Sequence, residues 1–207
     1  MANAKPDPTM PSYYSPSETA LLLIDFYSLF VERVGLSGAN ALSTAVDMRN
    51  WAKQCGMHVI HCLIDITSQP APTTKGVERL ASILASMKSN DGHMEPAALF
   101  EDSEDDVQFT RRIGHVSGLK SPGLENFLQE KGVKSLVVTG LSTSGCVLRT
   151  AAAGCDADFV VSVIEDACAD REQDVHDALV GKVLRNRGYV YKAATFQAEM
   201  ESRWRGE

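Results

Sequence analysis

Three kinds of side chain that could act together in catalysis follow or close apolar segments of this chain. Asp25 ends one such segment, Arg111 and Arg112 lie in another, and Cys146 follows a third. A carboxylate beside a thiol can act as its general base, and a nearby cation stabilises the thiolate. The combination is typical of a thiol nucleophile that attacks a carbonyl carbon, with backbone N–H groups holding the oxyanion.

The position of Cys146 favours the role of nucleophile. The apolar run 136–138 predicts a buried strand, Gly140 ends it, and a helical pattern follows Cys146. At a helix N-terminus, unpaired N–H groups and the helix dipole lower a thiol pKa. We therefore expect Cys146 to be accessible and more acidic than a free thiol. From its position alone, Cys146 could also be a small buried apolar residue without a catalytic role. Asp25 could likewise only cap the next turn.

The elements that must position these residues alternate between strand and helix patterns along the chain. This alternation predicts an α/β fold, a doubly wound parallel sheet of about six strands with helices on both faces and room for an antiparallel edge strand. Residues 1–17 are predicted to form an N-terminal arm and residues 18–207 one domain. We expect Ser89–Asp106 to be an exposed excursion. The predicted strands include Thr19–Ile24, His58–Ile64, Val107–Ile113, Phe159–Ile164 and Tyr189–Tyr191.

Composition limits the classes of partner. The chain has 207 residues, 44% of them hydrophobic, and a net charge of −7, which argues against a nucleic-acid surface. Its five cysteines contain no CxxC pair, which suits a reducing compartment. The sequence has neither an apolar signal region nor a membrane-spanning run, so we expect a cytoplasmic protein with no membrane partner. Export without a signal peptide stays open.

Motif searches argue against a cofactor or metal. The chain has neither GxGxxG nor GxxxxGK[ST], so no nucleotide-binding loop is predicted. Its five histidines lack metal-ligand spacing, and the GxSxG elbow of serine hydrolases is missing. We expect no cofactor, no metal and a small-molecule substrate.

At this point the sequence resembles the isochorismatase-like cysteine hydrolases, which include nicotinamidases and N-carbamoylsarcosine amidohydrolases. The resemblance runs over residues 20–193 and implies the doubly wound fold, hydrolase activity and self-association. It rests on four blocks in the family's order: ALLLIDFYSLF around Asp25, Gly140–Val147 matching G-x-x-T-x-x-C-V, the strand end Val163–Ala167, and the helix Asp170–Leu179 with His176.

The resemblance implies a triad of Asp, Lys and Cys. Asp25 and Cys146 match two of its positions, but the third departs from the family. The family lysine precedes an S-A-F-x-x-T-x-L segment that resembles residues 117–124. Counting back without gaps reaches Ile113, whereas a small insertion places an arginine there.

Either neighbouring arginine could fill the lysine position. Arginine keeps the charge but cannot share a proton as lysine can. In a strand only one of the two can point into the cleft, and we expect it to be Arg111 because its neighbours on that face are apolar. Lys120 is the alternative. We expect Arg112, Lys120 and Thr143 to contact the substrate.

The resemblance also implies a cis peptide just before Ser142, which would direct the N–H groups of Ser142 and Cys146 into an oxyanion hole. The metal-binding members carry Asp-x-His near the second strand, where this chain has Asp65-Ile66-Thr67. The metal site of those members is therefore not expected here.

Three functions remain open at this stage. The arginines favour isochorismate-type hydrolysis to pyruvate and a dihydroxy diene acid, because a guanidinium pairs well with a dicarboxylate. Cys146 favours an amidohydrolase acting on a small amide or carbamoyl compound through an acyl-enzyme. The irregular third position allows a non-catalytic interaction protein on the same fold. We take the isochorismate-type reaction as the working hypothesis, with the amidohydrolase as the alternative.

Overall fold

Runs of leucine, isoleucine and valine form the buried strands of one parallel sheet. The structure is a computed structural model that describes residues 7–89, 92–99, 101 and 104–204. Its strands are β1 Thr19–Ile24, β2 His58–Asp65, β3 Val107–Arg112, β4 Ser135–Leu141, β5 Val160–Ala169 and β6 Tyr189–Tyr191. Its α-helices are α1 Ser28–Val34, α2 Leu36–Cys55, α3 Val77–Ser89, α4 Leu124–Glu130, α5 Leu148–Asp156, α6 Gln173–Ala178 and α7 Ala193–Trp204.

The strand order is β3-β2-β1-β4-β5-β6, and every neighbouring pair is parallel. This confirms the predicted doubly wound fold; the antiparallel edge strand that the sequence allowed does not occur among the described strands. Because side chains alternate along a strand, β1 contributes to two separate cores. Leu22 packs with residues of α4 and α5, and Leu23 with residues of α2 and α7. No helix of the described residues is both long and apolar enough to cross a membrane.

Strand β5 is longer than its apolar run predicts. The sequence indicates a strand over Phe159–Ile164, but the structure continues it through two acidic residues to Ala169. The register of the β4–β5 pair shifts between Val138 and Gly140, where β5 contains extra residues, so that Gly140 pairs with Cys168. The strand therefore continues because tertiary pairing outweighs the local polarity.

The expectation of an exposed excursion over Ser89–Asp106 is wrong for several of its described residues. Glu95 and Leu99 are buried, and so is the side chain of Asp106. The acidic groups are tolerated there because they are paired, with Asp106 lying 2.6 Å from the buried guanidinium of Arg49. Residues 90, 91, 100, 102 and 103 lie outside the described set.

The described part of the N-terminal arm lies against the last helix and strand. Trp204 Nε1 donates a hydrogen bond to Tyr14 O at 2.8 Å, and Tyr189 Oη lies 3.2 Å from Met10 Sδ. The predicted boundary between residues 17 and 18 immediately precedes β1 and stays a prediction.

Candidate active site

The site forms where the strand order reverses, between β1 and β4. In open α/β sheets this switch point leaves a crevice outside the carboxyl ends of the strands, where ligands bind. Asp25 follows β1, and Cys146 follows β4. Gly140 allows the two strands to approach here, because a Cβ at its φ of +153° would lie 2.5 Å from the Ile24 carbonyl oxygen.

Asp25 occupies an unusual backbone conformation. Its φ is +57°, a region that residues other than glycine rarely adopt. The residue is 4% exposed, and its N–H donates to Cys62 O at 3.2 Å. Strained backbone of this kind costs about 1–3 kcal/mol and is concentrated at functional sites. In this protein the strained backbone belongs to a residue whose carboxylate lies inside the sheet edge and contacts a cation from β3.

That cation is Arg111, which pairs with Asp25 through both guanidinium nitrogens. Nη1 donates to Oδ1 at 3.0 Å, and Nη2 donates to Oδ2 at 2.5 Å. The remaining N–H groups donate to carbonyl oxygens, those of His115 at 2.9 Å, Val116 at 3.2 Å and Cys62 at 3.4 Å. All five donors of the guanidinium are therefore used within the protein. Arg111 holds Asp25 in place but has no donor left for a substrate.

Burial and pairing act in opposite directions on this ion pair. Burial raises the pKa of Asp25 and the Arg111 charge lowers it, with a net pKa above the usual carboxyl value. Burial lowers the pKa of Arg111, but the Asp25 charge outweighs it, so the net pKa is raised. Asp25 is thus a stronger base than an exposed aspartate, with a permanent cation beside it.

Cys146 lies inside the turn between β4 and α5. Its Sγ is 3.2 Å from Leu141 O, 3.8 Å from Ser142 O and 4.0 Å from Ile24 O. The residue is only 3% exposed, so the expectation of an accessible thiol is wrong.

The expected acidity of the Cys146 thiol is also wrong. Burial and then the charge of Asp25 raise its pKa well above that of a free thiol, and Arg111 opposes them only in part. The helix dipole does not reverse this, because Thr143–Val147 forms a π-type turn with non-helical Gly145 and α5 begins at Leu148. The resting thiol is therefore protonated and needs a base to become a nucleophile.

The turn that carries Cys146 is held by two contacts to later elements. Thr143 Oγ1 lies 2.8 Å from Nδ1 of His176 in α6, and Ser144 N donates to Asp170 Oδ2 at 2.7 Å. The peptide bond before Ser142 is cis, as the resemblance implies. Sequence reasoning singled out Thr143 but missed Asp170, although Asp170, like Asp25, directly follows a strand.

Arg112 and Lys120 lie apart from this cluster. Arg112 is exposed on the other side of β3, and its Nη2 is 3.0 Å from His115 Nε2. Lys120 is exposed at the end of a 3₁₀ turn. Within the described residues neither contacts Asp25 or Cys146, so of the three cations considered for the lysine position the structure brings Arg111 into the cluster.

A metal centre has no geometric support in the described part of the chain. No group of three or more His, Cys, Asp or Glu side chains there could hold an ion. Asp65 Oδ1, at the end of β2, instead accepts hydrogen bonds from Thr67 N at 2.9 Å and Thr67 Oγ1 at 2.6 Å.

With this geometry established, comparison with known proteins identifies the family. The model of the isochorismatase domain matches residues 19–194. The chain belongs to the isochorismatase family. A solved structure of a cysteine hydrolase from Pseudomonas syringae pv. phaseolicola has the same fold, with a TM-score of 0.75 and 20% identity over 92% of this chain and 95% of that one.

Two curated relatives of this isochorismatase-family hydrolase differ in what their names state. One is a maleamate amidohydrolase of Pseudomonas putida, 27% identical over 77% of this chain and 76% of the relative. The other is a probable inactive nicotinamidase of Arabidopsis thaliana, 26% identical over 77% of this chain and 85% of the relative. Membership in the family therefore establishes the hydrolase class but no particular substrate.

Proposed function

We propose that this isochorismatase-family protein is a thiol-dependent amidohydrolase that cleaves a small amide or carbamoyl compound. The observation that carries the proposal is the burial of the Cys146 thiol and the Asp25 carboxylate together at the switch point of the sheet. There Asp25 raises the pKa of Cys146, and a hydrogen bond from Cys146 lowers that of Asp25. A protonated thiol beside a buried carboxylate of raised pKa is a matched proton donor and acceptor. The name of the maleamate amidohydrolase supports the same class of reaction.

The reaction proceeds in two halves. Asp25 takes the thiol proton as Cys146 Sγ attacks the carbonyl carbon, and the tetrahedral oxyanion is held by backbone N–H groups of Ser142 and Cys146. The C–N bond then breaks, Asp25 returns its proton to the leaving nitrogen, and an acyl-enzyme thioester remains. Water, deprotonated by Asp25, adds to the thioester, and the departing thiolate takes the proton back.

Arg111 serves this reaction as a positioning residue. Its fork fixes both oxygens of Asp25 and keeps a positive charge beside the developing thiolate. The same contacts weaken the isochorismate-type hypothesis, because that hypothesis used an arginine to bind a substrate dicarboxylate and every donor of Arg111 is already directed within the protein.

Replacing the thiol tests the proposal. We expect Cys146→Ala to lower kcat/KM for a panel of small amides by at least about a thousandfold, since removal of a nucleophile eliminates the acyl-enzyme route. Cys155→Ala, which removes a half-buried thiol from α5, is the matched control and should retain activity. Mass spectrometry of quenched reactions should detect an acyl adduct on Cys146.

The same variant separates the two hydrolase hypotheses. If the protein hydrolyses isochorismate and Cys146→Ala retains that activity while no amide is cleaved, the amidohydrolase proposal is wrong and the isochorismate-type reaction takes its place. Equal loss in the Cys155→Ala control would likewise contradict a specific role for Cys146.

A further inference from the structure

A cavity of about 250 Å³ lies at the carboxyl edge of the sheet beside the turn that carries Cys146. Its lining combines apolar walls with three arginines that come from distant parts of the chain. Arg33 belongs to α1, Arg79 to α3, and Arg171 follows β5. A space of this size suits a small metabolite rather than a peptide.

The positive charge of this cavity is not compensated within the described residues. All three arginines are exposed to solvent, and no guanidinium among them has an ion-pair or hydrogen-bond partner among the described residues. The one acid of the lining, Asp170, already accepts hydrogen bonds from Ser144 N at 2.7 Å and Arg171 N at 2.9 Å. Even if Asp170 is counted against one arginine, two positive charges remain in a protein whose net charge is −7.

The cavity lies next to the turn that carries the Cys146 thiol, although Cys146 itself does not line it. Leu141 and Ser142 line it, and their carbonyl oxygens lie 3.2 and 3.8 Å from Cys146 Sγ. A ligand whose carbonyl carbon reaches the thiol from this side would therefore place its remaining atoms among the arginines. Phe30 and Ile83 provide apolar surface for the carbon atoms between the two groups.

We infer that the substrate is a small amide or carbamoyl compound that carries a carboxylate, and that Arg33, Arg79 and Arg171 bind this carboxylate. The inference rests on the proposed amidohydrolase function and adds the chemical class of its substrate. Arginine presents paired N–H donors that match both oxygens of a carboxylate. The substrate charge is thus bound not by Arg111, which holds Asp25, but by a separate set of arginines on α1, on α3 and on the segment after β5.

The test compares succinamate, a small amide with a carboxylate, with succinamide, its uncharged diamide of similar size. We expect wild-type kcat/KM to be at least about tenfold higher for succinamate, a factor typical of one charged contact. Arg33→Gln, Arg79→Gln and Arg171→Gln should each raise KM for succinamate severalfold with little change in kcat, and should thereby reduce the preference for succinamate over succinamide. Arg203→Gln, which removes an exposed cation from α7, is the control.

Calorimetry with succinate keeps the inference testable if neither amide is cleaved. Binding of succinate to the wild-type protein that is weakened in the three arginine variants and retained in Arg203→Gln supports it. The inference is overturned if succinate does not bind to the wild-type protein. It is also overturned if both amides are turned over equally, or if the arginine variants retain the preference for succinamate. Failure of the proposed function is recognised separately, by the activity of Cys146→Ala on the amide panel.

Discussion

At the scale of single residues, the cation that the structure brings to Asp25 is an arginine, and its chemistry differs from that of a lysine. A lysine presents three rotatable donors and can lose its proton, whereas Arg111 is a fixed fork that stays charged. Its N–H groups donate both to the Asp25 carboxylate and to carbonyl oxygens of the loop after β3. In the proposed reaction Asp25 is therefore the general base, and Arg111 only affects its pKa and position.

This arrangement predicts different outcomes for the two neighbouring arginines. Arg111→Ala leaves the Asp25 carboxylate buried without its partner, which should lower the free energy of unfolding by about 3–5 kcal/mol and abolish most activity. Arg112→Ala removes an exposed side chain and should change stability by less than about 0.5 kcal/mol. Urea unfolding and kcat/KM of both variants measure these effects.

Arg111→Lys distinguishes charge from geometry at this position. Lysine retains the positive charge but cannot make the two parallel bonds to Asp25. We expect it to restore part of the stability and activity lost in Arg111→Ala. If Arg111→Ala and Arg112→Ala behave alike, Arg111 has no positioning role.

At the scale of the elements, the site depends on how closely β4 approaches β1. The carbonyl oxygen of Ile24 in β1 faces Gly140 in β4 at a distance that excludes a side chain, and the next residues of the two strands lead to Asp25 and to the Cys146 turn. Strand β5 bulges against β4 at the same point, between the pairs Val138–Val163 and Gly140–Cys168. Close approach and bulge together direct both functional residues into one crevice.

A methyl group at Gly140 should separate these strands. Its Cβ would lie 2.5 Å from Ile24 O and 3.0 Å from Ile24 Cβ, both parts of a rigid strand. We expect Gly140→Ala to lower the free energy of unfolding by at least about 2 kcal/mol and to reduce kcat more than a loss of stability explains. Gly181→Ala is the matched control, because its Cβ meets nothing within 4 Å. Retention of wild-type kcat by folded Gly140→Ala would contradict this account.

At the scale of the whole molecule, a buried charge network joins helix α2 to the sheet and to the segment before β3. His61 Nδ1 lies 2.9 Å from Glu95 Oε2, and Nε2 lies 3.3 Å from Asp106 Oδ2. Asp106 is also paired with Arg49 at 2.6 Å and Lys53 at 3.1 Å. These pairs connect segments that are far apart in the chain, so their protonation affects the stability of the whole fold.

The network predicts a dependence of stability on pH. Burial lowers the pKa of His61, but the hydrogen bonds and charges of Glu95 and Asp106 outweigh it, so the folded-state pKa is raised. The resulting stabilisation is fully present below the unfolded pKa of about 6.5 and is lost as the pH rises through the folded value. Between pH 6 and pH 8.5, the urea midpoint should fall more for wild type than for His61→Gln.

His58→Gln provides the control for this measurement, because His58 is only partly buried and its Nε2 lies 3.2 Å from Ser17 O. It should show the wild-type pH dependence. If His61→Gln follows the same curve as wild type, His61 is not the titrating group.

The sequence by itself determined the α/β fold class, and it predicted that Asp25 and Cys146 follow buried strands. Strand and helix periodicity are local properties, and parallel strands must gather their carboxyl ends at one edge. For that reason the positions of Asp25 and Cys146 next to apolar runs were enough to predict that they meet. Strand alternation likewise favoured Arg111 over Arg112.

Only the tertiary structure decided how these residues behave. The burial of Cys146 and the raised pKa of its thiol depend on Asp25 and on the carbonyl groups around it, which the helix-start pattern does not reveal. The hydrogen bonds that occupy the donors of Arg111 depend on the path of the loop after β3. The three arginines of the cavity come from α1, α3 and the segment after β5. Electrostatics and burial are set by groups distant in sequence, so no local pattern could have predicted them.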